Sequence, residues 1–238
     1  MRYDRLLAGK NAVVTWAGSG IGAAVVRKFA QHGAAVAYGV PCAALGNEIY
    51  AELAPISPES FYVVCDLSDS CSVEAFMKEV LTRFADVDVL INNPHAFVPL
   101  DLLCCEEQQI EELMHIYQRS TMQTIRALFP VMKEKGNGSI VNLSSTAVRR
   151  PVQGAPLFTA ATASMGGLTR VAALELCSQH VRVNELQAGF ATDPDQLANV
   201  ALFLASDMSG YITASTITAD NGISKALVTP TRRDLHAE

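Results

Sequence analysis

A glycine-rich stretch near the amino terminus has the composition of a phosphate-binding turn. Residues 15–22 read TWAGSGIG, after a β-branched run and before a helical pattern. In such a turn, backbone N–H groups and the positive end of the helix dipole face a pyrophosphate. Gly18, Gly20 and Gly22 are therefore candidate cofactor-binding residues. A tight turn that packs a helix on a sheet would use the same glycines, so the motif alone leaves both interpretations open.

Further segments of the chain carry a family resemblance. Asp66 lies in VVCDLSD, Asn92 and Asn93 lie in VLINNPH, Ser145 ends GSIVNLSS, and the closing segment reads NVALFLASDMSGYITASTITADNG. With the glycine-rich loop, these segments resemble the short-chain dehydrogenase/reductase family over nearly the whole chain. The resemblance implies a Rossmann-like fold, a dinucleotide cofactor that Asp66 and Asn92 help to bind, and hydride transfer beside Ser145.

Two positions depart from the cofactor-binding pattern of that family. Trp16 stands where the family has its first loop glycine, and an indole there should clash with the cofactor or cover its pocket. Val40 and Pro41 stand where the family has an Asp for NAD or an Arg for NADP. We therefore expect no cofactor, or only weak NAD(P) binding through vestigial contacts.

The catalytic pattern of the family, which consists of Ser, Tyr, Lys and Asn, is also incomplete. By its spacing from Ser145, the Tyr position is Phe158 and the Lys position is Thr162. The helical Asn position is Tyr117. Loss of a positioned general acid typically lowers the rate by about 10²–10⁴. The resemblance therefore implies a degenerate member with no intact catalytic set, in which Ser145 is a remnant that satisfies local backbone groups.

Other side chains could carry chemistry instead. Tyr117 is a candidate substitute acid, although a core aromatic with a bonded hydroxyl is the favoured interpretation. A surface loop is the favoured interpretation both for His95, which follows a strand, and for the pair Arg149 and Arg150, which could meet an anionic substrate. The pair Cys104 and Cys105 could hold a reactive thiolate, but the negative charges of the two adjacent glutamates should disfavour it.

Seven short apolar runs, separated by helical patterns, predict strands at Asn11–Trp16, Ala35–Gly39, Ser60–Cys65, Val87–Ile91, Gly138–Leu143, Val181–Leu186 and Ala214–Ala219. Continuous apolar strands that alternate with helices indicate an α/β fold, with one doubly wound parallel sheet covered on both faces. We expect a single domain over residues 1–238 with a loose tail at residues 224–238. Four residues separate Gly189 from Pro194, so the family's substrate-binding loop is shortened.

Composition excludes several classes of protein. Of the 238 residues, 50% are hydrophobic and 18% are charged, and the formal charge of −6 argues against a nucleic-acid partner. No apolar run is long enough to span a membrane. The six cysteines show no metal-ligand spacing, so we expect no metal and reduced thiols in the cytoplasm.

Four functional hypotheses follow. The first is a non-catalytic subunit that stabilises an active paralogue in a homo- or hetero-oligomer, through the long helices near Glu106–Lys135 and Leu157–Ser178 and the last strand. The second is a lyase, isomerase or cyclase with a pocket around Ser145, Tyr117 and Gln153. The third is a divergent NAD(P)-dependent oxidoreductase that uses Tyr117 as acid. The fourth is a nucleotide sensor without turnover.

Overall fold

A parallel sheet of seven strands is the centre of the computed structural model, which describes residues 5–18, 20–190 and 192–225. The strands are Asn11–Val14 (β1), Ala35–Val40 (β2), Phe61–Val64 (β3), Val89–Asn92 (β4), Gly138–Ser145 (β5), Val181–Ala188 (β6) and Thr216–Ala219 (β7). Their order is β3-β2-β1-β4-β5-β6-β7, and all pairs are parallel. The predicted doubly wound α/β fold is confirmed, and β5 and β6 run two residues further than predicted.

Helices cover both faces of this sheet. They are Gly20–Gln31 (α1), Ala43–Leu53 (α2), Ser70–Arg83 (α3), Glu107–Met114 (α4), Ser120–Lys135 (α5), Pro156–Leu176 (α6) and Pro194–Ala205 (α7). Because strand side chains alternate between faces, Val14 packs with α1, α2 and α7, whereas Val13 packs with α3, α5 and α6. Two apolar clusters therefore hold the helices on the sheet.

The predicted long helix near Glu106–Lys135 is helical throughout residues 107–135, but it is not α-helical along its whole length. It consists of α4, a π-helical turn at His115–Arg119, and α5. Such turns insert one residue into a helix and often mark functional positions. Tyr117 lies within this turn. The second predicted long helix, Leu157–Ser178, corresponds to α6. Residues 226–238, most of the predicted loose tail, lie outside the described residues.

A partly buried arginine ties β6 to the end of α7. The guanidinium of Arg182 donates to the carbonyl oxygens of Leu204, Ser206 and Ile212 and to Ser209 Oγ, at 2.9–3.4 Å. Burial lowers the pKa of Arg182, and the negative charge of Asp207 opposes that shift. Each of the three carbonyl oxygens also accepts from a serine hydroxyl or an asparagine amide, so Arg182 adds a charged donor to acceptors that are already partnered.

A second buried charge lies between β6 and α6. Glu185 is 2% exposed, and its carboxylate accepts from Ser144 Oγ at 2.6 Å, from Thr216 Oγ1 at 2.7 Å and from Gln187 Nε2 at 3.2 Å. A Cβ atom on Gly166 of α6 would lie 3.0 Å from Glu185 Oε2. The missing side chain at position 166 therefore leaves room for the carboxylate.

We expect Gly166→Ala and Gly167→Ala to differ in their effect on the free energy of unfolding. A Cβ on Gly167 meets nothing within 4 Å, so Gly167→Ala should stabilise the protein by about 0.5–1 kcal/mol through helix propensity. Gly166→Ala should instead destabilise it by about 1 kcal/mol, because the hydrogen-bonded Glu185 must shift. Urea unfolding of both variants measures the difference, and equal stabilisation would show that Glu185 moves freely.

Candidate functional site

The crevice between β1 and β4 is the place where this fold offers a ligand site. The strand order reverses there, since β2 and β3 lie on one side and β5 to β7 on the other. In open α/β sheets, ligands bind outside the carboxyl ends of the strands at such a point. Asn93 joins the two loops, because its backbone N–H donates to Thr15 Oγ1 at 2.9 Å and its Nδ2 donates to the Trp16 carbonyl oxygen at 2.7 Å.

Two aromatic rings lie across this crevice. Trp16 follows β1 and His95 follows β4, and their ring centroids are 4.5 Å apart with an interplanar angle of 21°. The stacked rings join the two loops, and a dinucleotide would have to separate the rings in order to enter the crevice. In this arrangement the residues do not fit a dinucleotide laid across the crevice.

The three glycines of the loop have different surroundings. A Cβ on Gly22 would lie 2.0 Å from the Trp16 carbonyl oxygen, and one on Gly18 would lie 2.7 Å from Pro41 Cδ. Gly20 has a φ of +57°, and a Cβ there would meet nothing within 4 Å. Gly18 and Gly22 are thus needed for close packing, while Gly20 alone has open space in front of it at the start of α1.

The other two predicted cofactor-binding residues lie apart from each other. Asp66 is exposed, and its Oδ1 accepts from the backbone N–H and the hydroxyl of Ser68. Asn92 is 1% exposed, donates to Asn142 Oδ1 at 2.8 Å and accepts from Thr124 Oγ1 at 2.7 Å. The Asn92 side chain therefore belongs to a polar network under the helices rather than to the crevice wall.

An aromatic cluster surrounds Phe158, the position that the family resemblance assigns to the catalytic Tyr. The Phe158 centroid lies 5.2 Å from Phe97, 5.8 Å from Phe190 and 6.2 Å from Tyr117. Phe97 comes from the loop after β4 and Phe190 from the loop after β6. These rings contact one another, and the cluster offers no proton donor at Phe158.

The hydroxyl groups near this cluster are already bonded to backbone. Ser145 Oγ accepts from the backbone N–H of Ala147 at 3.1 Å, which caps the turn that follows β5. Thr162 Oγ1 donates to the Phe158 carbonyl oxygen at 2.8 Å and is buried within α6. Among the described residues, no hydrogen bond joins the hydroxyl groups of Ser145 and Thr162 to each other.

Tyr117 is poorly suited to replace the missing acid. Its hydroxyl donates to the Ala96 carbonyl oxygen at 3.1 Å, and its side chain is 3% exposed. Burial raises the pKa of Tyr117 to about 12, although the hydrogen bond to the Ala96 backbone acts in the opposite direction. The phenol therefore stays protonated at neutral pH and is harder to ionise than an ordinary tyrosine.

Sequence reasoning missed a polar relay beside this cluster. Arg149, assigned to a solvated loop, donates from Nε to Gln187 Oε1 at 3.0 Å, and Gln187 donates to the buried Glu185. Glu185 and Gln187, two residues apart at the end of a strand that the sequence predicts in the sheet, are the signal that could have revealed it, because alternate positions of a strand share one face of a sheet. Their partner in the loop after β5 could not be read from the sequence.

One structural observation bears on membranes. Over residues 5–18, 20–190 and 192–225, the longest and most apolar helices still fall short of what is needed to cross a bilayer.

Comparisons with known proteins agree with one another, because they all find dehydrogenases or reductases. A family model described as "short chain dehydrogenase" matches residues 10–200. A 3-oxoacyl-[acyl-carrier-protein] reductase of Staphylococcus aureus is 31% identical over 242 residues, which cover 90% of this chain and 98% of that protein. A 2,5-dichloro-2,5-cyclohexadiene-1,4-diol dehydrogenase of Sphingobium indicum is 29% identical, with 91% and 96% covered.

A solved structure extends the likeness to three dimensions. The 3-ketoacyl-(acyl-carrier-protein) reductase of Brucella melitensis, complexed with NADH, is 26% identical and has a TM-score of 0.85. The match covers 92% of this chain and 99% of that one. The relatives are oxidoreductases, and this one holds a dinucleotide.

Proposed function

This chain belongs to the short-chain dehydrogenase family, and we propose that it is a degenerate member without hydride-transfer activity of its own. It acts as a subunit that stabilises a catalytically complete, NAD(P)-dependent member of the same family in a hetero-oligomer. The free cysteines support a cytoplasmic location for such an assembly.

The aromatic cluster at Phe158 is the observation that carries this proposal. Hydride transfer to or from a carbonyl group needs a proton donor or acceptor at the reacting oxygen. At the position that the resemblance assigns to this role, the chain has a phenyl ring packed against Phe97, Phe190 and Tyr117. Thr162, at the assigned Lys position, carries no charge and bonds to its own helix.

Exposed apolar side chains on the helices expected at the interface support the assembly. Met122 on α5 is 48% exposed, and Val171 and Leu174 on α6 are 55% and 73% exposed. Val171 and Leu174 are three residues apart, so they share one face of the helix. Apolar side chains that lie together on a surface often mark an interface between proteins.

A divergent oxidoreductase is the second candidate, because relatives named as reductases and dehydrogenases span nearly the same length. The NADH complex of the Brucella relative favours some retained affinity for NAD(P), which we expect to be weak because of the Trp16–His95 stack. In this candidate Tyr117 would be the acid, which gives a direct test.

Replacing Tyr117 by Phe is expected to lower the free energy of unfolding by about 1 kcal/mol, because one buried hydrogen bond to Ala96 is lost. The rate of NAD(P)H oxidation by the Tyr117→Phe variant should equal that of the wild type, and both rates should be at background. The measurements are urea unfolding and NADPH oxidation with a 3-oxoacyl thioester. A wild-type activity that disappears in Tyr117→Phe, while the fold is retained, would establish the oxidoreductase candidate instead.

The subunit proposal is tested by co-expression. A tagged copy of this chain is produced with each catalytically complete short-chain dehydrogenase encoded in the same genome, and light scattering gives the mass of the purified complex. We expect one partner to form a mixed assembly with this chain and to lose activity or stability when this chain is absent. The variant Val171→Glu/Leu174→Glu should no longer co-purify with that partner. Turnover by this chain alone at the rate of its relatives would contradict the proposal.

A further inference from the structure

Arg149 is held in a fixed position at the carboxyl edge of the sheet. It lies directly after the turn that Ser145 caps at the end of β5. Its backbone N–H donates to the Thr146 carbonyl oxygen at 2.9 Å, and its Nε donates to Gln187 Oε1 at 3.0 Å. The backbone and the side chain of Arg149 are therefore both anchored, unlike those of an arginine on a solvated loop.

The group that anchors Arg149 is itself buried and oriented. Gln187 is 3% exposed, and its Nε2 donates to Glu185 Oε1 at 3.2 Å, which orients its Oε1 toward Arg149. Thr218 Oγ1 also donates to Gln187 Oε1, at 3.4 Å. The chain thus builds a relay of Glu185, Gln187 and Arg149 from the interior of the sheet to its edge.

The relay leaves the outer end of the guanidinium available. Among the residues that the structure describes, the two terminal nitrogens of Arg149 have no hydrogen-bond acceptor or carboxylate partner, and the residue is exposed. The buried carboxylate of Glu185 reaches it only through the neutral amide of Gln187, so the positive charge is not cancelled by an ion pair. A planar guanidinium fixed through Nε presents two N–H groups that match a carboxylate or a phosphate.

One basic and one acidic residue lie near this part of the carboxyl edge. Arg150 adds a second positive charge, with its Nη1 donating to the Ile223 carbonyl oxygen. The Asp220 carboxylate, on the segment that leads to Ile223, already accepts from the backbone N–H groups of Gly222 and Ser224. Ligands of open α/β sheets bind at this carboxyl edge.

We propose that Arg149, positioned by Gln187 and Glu185, is the anchor of an anion-binding site that takes a carboxylate or phosphate group. The site differs from the closed crevice at Trp16 and does not depend on whether the chain is catalytic. Arg149 makes the contact, and Gln187 is a positioning residue.

The test is calorimetric titration of the purified chain with two probes, inorganic phosphate and succinate, at ionic strength held constant with NaCl. Saturable binding of either probe with one site per chain is expected, and the better probe identifies the group recognised. Arg149→Ala should weaken binding by about tenfold or more, because charge-assisted hydrogen bonds are lost. Arg170→Ala, which removes another exposed arginine, is the matched control and should bind as the wild type does.

The Gln187→Leu variant tests whether Gln187 positions the Arg149 guanidinium or only stabilises the fold. We expect this variant to weaken binding by about threefold to tenfold and to shift the NMR resonance of the Arg149 Nε–H group, which loses its acceptor. If Gln187→Leu does not fold, the surface variant Arg149→Ala still decides the question. Absence of saturable binding with both probes, or equal binding by wild type and Arg149→Ala, would overturn the proposal.

Discussion

Replacing Trp16 by Gly is expected to raise the affinity of the protein for NADH by about twofold to tenfold. The indole lies on His95 across the crevice where a dinucleotide would enter, and this stack must break before binding. An aromatic pair contributes about 0.5–1.5 kcal/mol beyond its buried area, and about 1.4 kcal/mol corresponds to a tenfold change in the dissociation constant. A ligand that binds only an open minor state has its affinity reduced by the population of that state.

The measurement is a titration followed by the emission of the bound nicotinamide, because the variant has no tryptophan. Trp16→Phe is the matched control, since it retains a ring that can stack on His95 and should gain little. His95→Ala removes the other ring and should recover part of the gain. If Trp16→Gly binds NADH as weakly as the wild type, the stack is not what closes the crevice.

Replacing Arg182 by Ala is expected to lower the free energy of unfolding by about 1.5–3 kcal/mol. The change removes hydrogen bonds to three carbonyl oxygens and to Ser209 Oγ at the end of α7. Each carbonyl oxygen keeps another donor, from Ser139, Asn184 or Ser209. The expected loss is therefore that of hydrogen bonds from a charged group, and no acceptor is left without a donor.

Urea unfolding, followed by circular dichroism, gives this value. Arg182→Lys keeps the charge but cannot reach all four acceptors, so it should fall between the wild type and the alanine variant. Arg170→Ala removes an exposed arginine that makes no ion pair among the described residues and should change stability by less than about 0.5 kcal/mol. A loss below about 1 kcal/mol in Arg182→Ala would mean that the remaining donors from Ser139, Asn184 and Ser209 hold this contact without the guanidinium.

Much of the candidate site was accessible to sequence reasoning because it lies in short motifs. Three features are local: the glycine-rich loop, the positions Phe158 and Thr162 that the resemblance assigns to Tyr and Lys, and Trp16 at the position that it assigns to a glycine. The roles of individual glycines were not accessible. Gly18 and Gly22 are required by the neighbouring Pro41 and by the loop backbone, which only the packed structure brings near.

The aromatic cluster around Phe158 could also be predicted only in part from the sequence. Sequence reasoning identifies a phenylalanine at position 158, but its contacts come from Phe97, Tyr117 and Phe190, on three separate segments. The sequence predicts one long helix near Glu106–Lys135, and only the structure shows the π-helical turn that holds Tyr117 within it.

The sequence by itself determined the seven strands, the helices between them and the doubly wound fold class, because continuous apolar runs and apolar helix faces depend on neighbours along the chain. Only the tertiary structure decided that Trp16 stacks on His95 and that Glu185 and Gln187 orient Arg149. Those contacts join side chains from different strand ends. Strand order and the direction of each side chain from the sheet bring them together, and neither is encoded in the spacing of the residues themselves.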